Sequence, residues 1–248
     1  MRKTADWGGV VAAFIAVIAV NGAANALPIG GKTTGQVSAI YESLFTPAGF
    51  TFSIWSLIYF GLLLYVIVQA LPAQRCNETL ATVGRWFLIS CAFNAVWMFC
   101  WHYEQITLSM VMMLGILYSL TRIYRTLGEA QLKGLLFWTV TLPFSIYVGW
   151  ITVATIANIS ALQTALDLND WLLSAESWTF VKLAVAGLAG AVIAIRKLDI
   201  AYVLVVAWAA NGVAVKQVAV GSVAGSATTL SILGLLLAGY ALFKRLRS

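Results

Sequence analysis

Apolar residues run along this chain in eight long stretches, at about 7–27, 51–71, 85–102, 107–124, 135–163, 178–195, 199–215 and 226–243, with short polar segments between them. A helix needs roughly 20 such residues to cross a bilayer core of about 30 Å, and most of the stretches approach that length. Lipid offers the backbone no hydrogen-bond partner, so a spanning segment is a helix or a strand of a closed barrel. Continuous apolar runs without period-2 alternation exclude the barrel. The predicted fold is therefore all-α, a polytopic helical membrane protein.

The composition fits: of 248 residues, 61% are hydrophobic and 10% charged. A net charge of +6 could suggest nucleic acid, but the basic residues stand singly or in twos and threes between apolar runs. They read as topology signals, and nucleic acid is not an expected partner. With a cytoplasmic N-terminus, twelve of them fall inside: Arg2, Lys3, Arg75, Arg85, Arg122, Arg125, Lys133, Arg196, Lys197, Lys244, Arg245 and Arg247. The outer loops keep only Lys32 and Lys216, Lys182 lies within a span, and the loop 164–177 carries Asp167, Asp170 and Glu176. Both termini are thus expected in the cytoplasm, in a bacterial inner membrane. Arg2 and Lys3, the apolar stretch to Val20 and the "ANA" at 24–26 also have the form of a cleavable secretory signal. Asn21 and Asn25, four apart on one face, favour a retained first helix with interhelical hydrogen bonds.

Three stretches concentrate the chemistry. In "FTPAGFTFSIWSLIY", Pro47 and Gly49 make an entry turn, and a helical wheel brings Phe52, Trp55 and Tyr59 together as a stripe for a cavity or for the headgroup belt. "NAVW" puts Asn94 and Trp97 on one face with Trp101 a turn on, which suits a ligand or an interhelical hydrogen bond. "LPFSIYVGWITVATIAN" places Pro143, Tyr147, Trp150, Ala154 and Asn158 along one wall, aromatic, then small, then polar. Such a wall suits a flat apolar ligand with polar edges, although Ala154 would equally permit close helix packing.

These residues resemble the TspO/MBR family (translocator protein, tryptophan-rich sensory protein). Pro47, Phe50, Phe52, Trp55 and Tyr59 resemble its Pro-Pro-x-Trp-x-Phe…Trp-x-x-x-Tyr pattern, and Tyr41 and Leu44 its preceding Tyr-x-x-Leu. Asn94 with Trp97 matches Asn-x-x-Trp, and Trp150, Ala154 and Asn158 match Trp-x-x-x-Ala-x-x-x-Asn. Ala48 stands for the second proline and Phe50 for a tryptophan, while Phe52 to Trp55 is one residue short. Pro143 lies further from Trp150 than usual, and the fourth helix lacks the usual acidic residue. The resemblance covers residues 1–165, a five-helix domain; residues 175–248 form a three-helix C-terminal extension. The looser sterol-recognition pattern is met by Leu114, Tyr118 and Arg122, but many membrane helices match it.

The resemblance implies a pocket between the first five helices for a flat hydrophobic ligand, a tetrapyrrole such as porphyrin or haem, with a sensory, regulatory or transport role. Its expected lining is Tyr41, Pro47, Phe50, Phe52, Trp55, Tyr59, Asn94, Trp97, Tyr147, Trp150, Ala154 and Asn158. Membrane lipid is the other expected partner, and a homodimer stays open. A small-molecule transporter and a light- and oxygen-dependent porphyrin-degrading protein are the rivals. No carboxylate or paired charge lies inside the spans to couple transport. No nucleophile or acid–base pair argues for catalysis, and no cofactor is required. Cys76, Cys91, Cys100 and the single His102, expected in a loop, lack metal-ligand spacing.

Overall fold

The computed structural model describes residues 3–27 and 29–247, apart from the side chain of Asn25. Among these residues every regular element is a helix, and the chain is an integral multi-pass membrane protein. The helices are α1 (Thr4–Ala26), α2 (Thr34–Ile40), α3 (Ile54–Ala70), α4 (Glu78–His102), α5 (Ile106–Ala130), α6 (Leu142–Ala165), α7 (Ala175–Lys197), α8 (Ile200–Lys216) and α9 (Gly221–Arg247). A π turn over Phe137–Thr141 leads into α6, and a 3-10 turn over Gly49–Ser53 leads into α3.

All eight predicted stretches are helices, and seven are long and apolar enough to cross a membrane. The exception is α8, apolar but 17 residues long. At about 1.5 Å per residue it extends about 25 Å, a little short of the hydrocarbon core. Its ends are nevertheless sharp. Leu198 closes α7 in the left-handed conformation with φ 50°, and the Asp199 carboxylate accepts from the Tyr202 N–H to start α8. Two residues, Leu198 and Asp199, therefore turn the chain from α7 into α8. The short α2 was not expected, and His102 ends α4, buried, rather than sitting in a loop.

The chain divides into two compact units, Met1–Val37 with Trp55–Val148, and Ser38–Ile54 with Gly149–Ser248. The division therefore cuts α6 between Val148 and Gly149, and it groups the entry segment 38–54 with the C-terminal helices.

In the first unit, Tyr65 of α3, Phe87 of α4 and Phe144 of α6 form a fully buried trio of edge-to-face rings, with centroids 4.9–5.9 Å apart. Gly61 lets α3 approach α6 closely, since a Cβ there would meet the Pro143 Cβ at 2.9 Å. Pro143 thus serves packing in this unit.

In the second unit, small residues bring helices together as the "AGLAG" segment suggests. Ala186 is buried, and Gly187 faces Leu230 of α9. Gly234 of α9 lies against Ala207 of α8, and Gly149 of α6 against Tyr202 of α8. The Tyr202 hydroxyl donates to Thr152 Oγ1 at 2.9 Å, which fixes α6 against α8. Without a hydrophobic drive between helices in lipid, such close approach and interhelical bonding are what hold a bundle together. Asn211, a candidate for such bonding, is instead exposed, and Lys182 is 8% exposed within the buried stripe of α7.

Candidate functional site

The expected site residues fall into two groups, one in each unit. Trp55, Tyr59, Asn94, Trp97 and Tyr147 belong to the first; Tyr41, Pro47, Phe50, Phe52, Trp150, Ala154 and Asn158 belong to the second.

In the first unit, Trp55 stacks on Tyr59 one turn along α3, with centroids 5.4 Å apart and planes 23° from parallel. The Tyr147 ring meets Trp55 edge-on at 6.0 Å. Asn94, 2% exposed, accepts from Asn21 Nδ2 at 2.9 Å and donates to the Tyr147 hydroxyl at 3.5 Å. Asn21 also donates to the Val17 carbonyl. Three helices, α1, α4 and α6, are tied through one buried amide, so Asn94 takes the interhelical role that its position in a span allowed. Asn25, its predicted companion on α1, has a side chain outside the described residues. Trp97 stacks on Trp101 at 5.6 Å and 20°, and the Trp101 indole N–H donates to the Thr34 carbonyl. The segment with Leu114, Tyr118 and Arg122 is engaged locally, for Tyr118 and Arg122 both lie against the Trp86 ring.

In the second unit the aromatic entry segment follows a different course from the helical wheel. Phe52 lies in the 3-10 turn, before α3 begins at Ile54. Its ring meets Trp150 of α6 edge-on, with centroids 5.9 Å apart. Trp150 and Asn158 are buried, at 3% and 2% exposure, and Ala154 is half-buried.

The opposite side of α6 carries Gly149, Thr152 and Val153, which face α8 or line an apolar cleft with Leu183 and Val206. At about 100° per residue, Trp150, Ala154 and Asn158 therefore form a face directed away from α8. Phe52 stands at the aromatic end of this face.

The rest of the entry segment, a strap over 38–54, lies along α8. Pro47 is buried and Phe50 is 43% exposed. Phe50 meets the Trp208 ring edge-on at 5.2 Å, and the Trp208 indole N–H donates to the Thr51 carbonyl at 3.1 Å. The Ala48 N–H donates to the Gly212 carbonyl at 2.9 Å. Further along, Gln217 Nε2 donates to the Ser43 carbonyl, and Lys216 pairs with Glu42 at 2.9 Å. Sequence reasoning missed Trp208, Gly212 and Lys216 as partners of the strap. The available signal was their i, i+4, i+8 spacing, which puts an indole, a glycine and a charge on one stripe of α8.

A family model described as TSPO-like protein matches residues 7–242. The match continues through α7 and α8 and nearly to the end of α9, whereas the motifs legible by eye end at Asn158. No curated protein and no solved structure matches the chain.

Proposed function

The chain belongs to the TSPO-like protein family, and we propose that it binds a flat hydrophobic ligand, a tetrapyrrole such as porphyrin or haem, on the α6 face formed by Trp150, Ala154 and Asn158. The observation that carries this reading is the Phe52–Trp150 contact, because it sets the strap's aromatic residue at the end of that wall. Trp150 would stack on the ligand plane, Ala154 would leave room for it, Asn158 would hydrogen-bond a polar edge, and Tyr41 with Phe50 would close the mouth. The reading assigns binding with a sensory or regulatory outcome, and neither catalysis nor a resident cofactor. The aromatic and amide group of the first unit is assigned a structural part.

We place the protein in a cytoplasmic membrane with both ends inside, on the strength of the twelve basic residues expected there. A reporter fused at the C-terminus would then read cytoplasmic. The binding test is a porphyrin titration of the purified chain followed by tryptophan quenching. Saturable quenching that is weakened in Trp150→Ala supports the reading, and an absence of saturable quenching overturns it.

A further inference from the structure

We infer that α8 is the seat of the strap, and that Trp208 and Gly212 are positioning residues for the ligand site. The second half of this inference rests on the function proposed above; the first half stands on geometry alone. An irregular segment exposes backbone N–H and C=O groups that helices satisfy internally, and in an apolar setting each must find a partner in the protein. The strap turns irregular after α2 ends at Ile40 and stays so until the 3-10 turn. α8 and its C-cap give the strap partners at three successive levels: the Ala48 N–H donates to the Gly212 carbonyl, the Thr51 carbonyl accepts from Trp208 as well as from the Ile54 N–H, and the Ser43 carbonyl accepts from Gln217.

The approach is close enough to dictate the residue at 212. A Cβ on Gly212 would lie 2.0 Å from Thr51 Oγ1 and 2.9 Å from its Cγ2, and Thr51 is completely buried. Neither atom is the far end of a flexible chain, so any side chain at 212 has to push the strap outward. Thr51 is flanked by Phe50 on Trp208 and by Phe52 on Trp150. A displacement at 51 therefore moves the residue that stands at the end of the α6 wall. The C-terminal helices, absent from the motif pattern of the first 165 residues, thus set the geometry of the strap from behind.

The test uses the full chain with Cys76, the exposed cysteine, replaced by serine; Cys91 and Cys100 are buried. Ala48→Cys in this background reports strap seating by its rate of thiol labelling. Porphyrin affinity is read separately, in chains that keep Ala48. Gly212→Ala is expected to speed labelling about tenfold and to weaken porphyrin binding about tenfold. Adding Thr51→Gly removes the colliding atoms and is expected to return both quantities to within about threefold of the parent.

Unchanged labelling in Gly212→Ala overturns the seat. Faster labelling with unchanged affinity overturns the link to the ligand site, as does a rescue of one quantity without the other. If no variant binds porphyrin, the function proposed above fails, and labelling alone decides the seat. Should Gly212→Ala not fold, Trp208→Phe keeps the ring against Phe50 but removes the N–H to Thr51. It is expected to give a smaller rise, about threefold, and no rise overturns the seat.

Discussion

Both units tie helices together through polar side chains, but the second also bonds a non-helical segment to a helix. In the first, Asn21, Asn94 and Tyr147 bond to one another, so the polar atoms of three helices are consumed in holding those helices together. In the second, Trp208 and Gly212 of α8 and Gln217 just after it bond to the backbone of the strap, and Trp150, Ala154 and Asn158 lie on a different face of α6 from the one that meets α8. The first arrangement fixes a scaffold. The second holds an irregular segment beside one face of α6. Substitutions in the first unit should therefore change stability and leave affinity alone, while substitutions on the α6 wall should do the reverse.

The largest effect is expected from Ala154→Leu. A branched side chain there takes the space that a planar ligand needs, whereas a residue facing lipid would accept leucine with little consequence. Porphyrin binding should be lost while the protein remains folded and monodisperse by size-exclusion chromatography. Normal binding would move the ligand away from this wall. Next is Trp150→Ala, which removes one stacking partner and should weaken the complex by about 1–3 kcal/mol, roughly 5- to 150-fold. Trp178→Ala is its control. That indole donates to the Trp171 carbonyl at the start of α7 and should leave affinity unchanged. Equal effects at 150 and 178 would mean that quenching reports general indole loss rather than a site.

How far the sequence carried these conclusions depends on the range of the interaction. The helices were legible because lipid forces each span to satisfy its own backbone, so an apolar run of sufficient length suffices. The junction of α7 and α8 was legible in the same local way, through "RKLD". The wall of α6 was legible because residues four apart share a face of any helix. Two things were not. One is the 3-10 turn before Ile54, which no apolar pattern separates from α-helix over five residues. The strap's partners lie about 160 residues further along, on a helix whose glycine and indole look like ordinary packing residues until Thr51 is placed against them.

The first unit gives the complementary prediction, of smaller size. Asn94→Ala removes an acceptor for Asn21 and a donor to Tyr147, and interhelical hydrogen bonds in membrane proteins are worth roughly 0.6–2 kcal/mol. A lower midpoint in denaturant or thermal unfolding is expected, with porphyrin affinity within about twofold of the parent. If affinity falls while stability holds, the amide of Asn94 touches ligand, and the division between scaffold and wall is drawn in the wrong place.

The smallest effect separates the seat of the strap from its periphery. Glu42 and Lys216 form an ion pair at 2.9 Å, but their side chains are 47% and 43% exposed. Such a pair gains little, typically 0–1 kcal/mol, because water and salt screen it and two long side chains must be held in one geometry. Glu42→Gln keeps the shape and removes the charge, so it should speed labelling at Ala48→Cys by no more than about fivefold. The difference from the parent should shrink as salt is raised, since salt weakens the parent's pair as well. Trp208→Phe should behave otherwise, because its lost N–H bonds a backbone carbonyl beside the fully buried Thr51, and its effect should persist in high salt. A Glu42→Gln effect as large as that of Gly212→Ala would put the hold on the strap at its charged end rather than at the glycine.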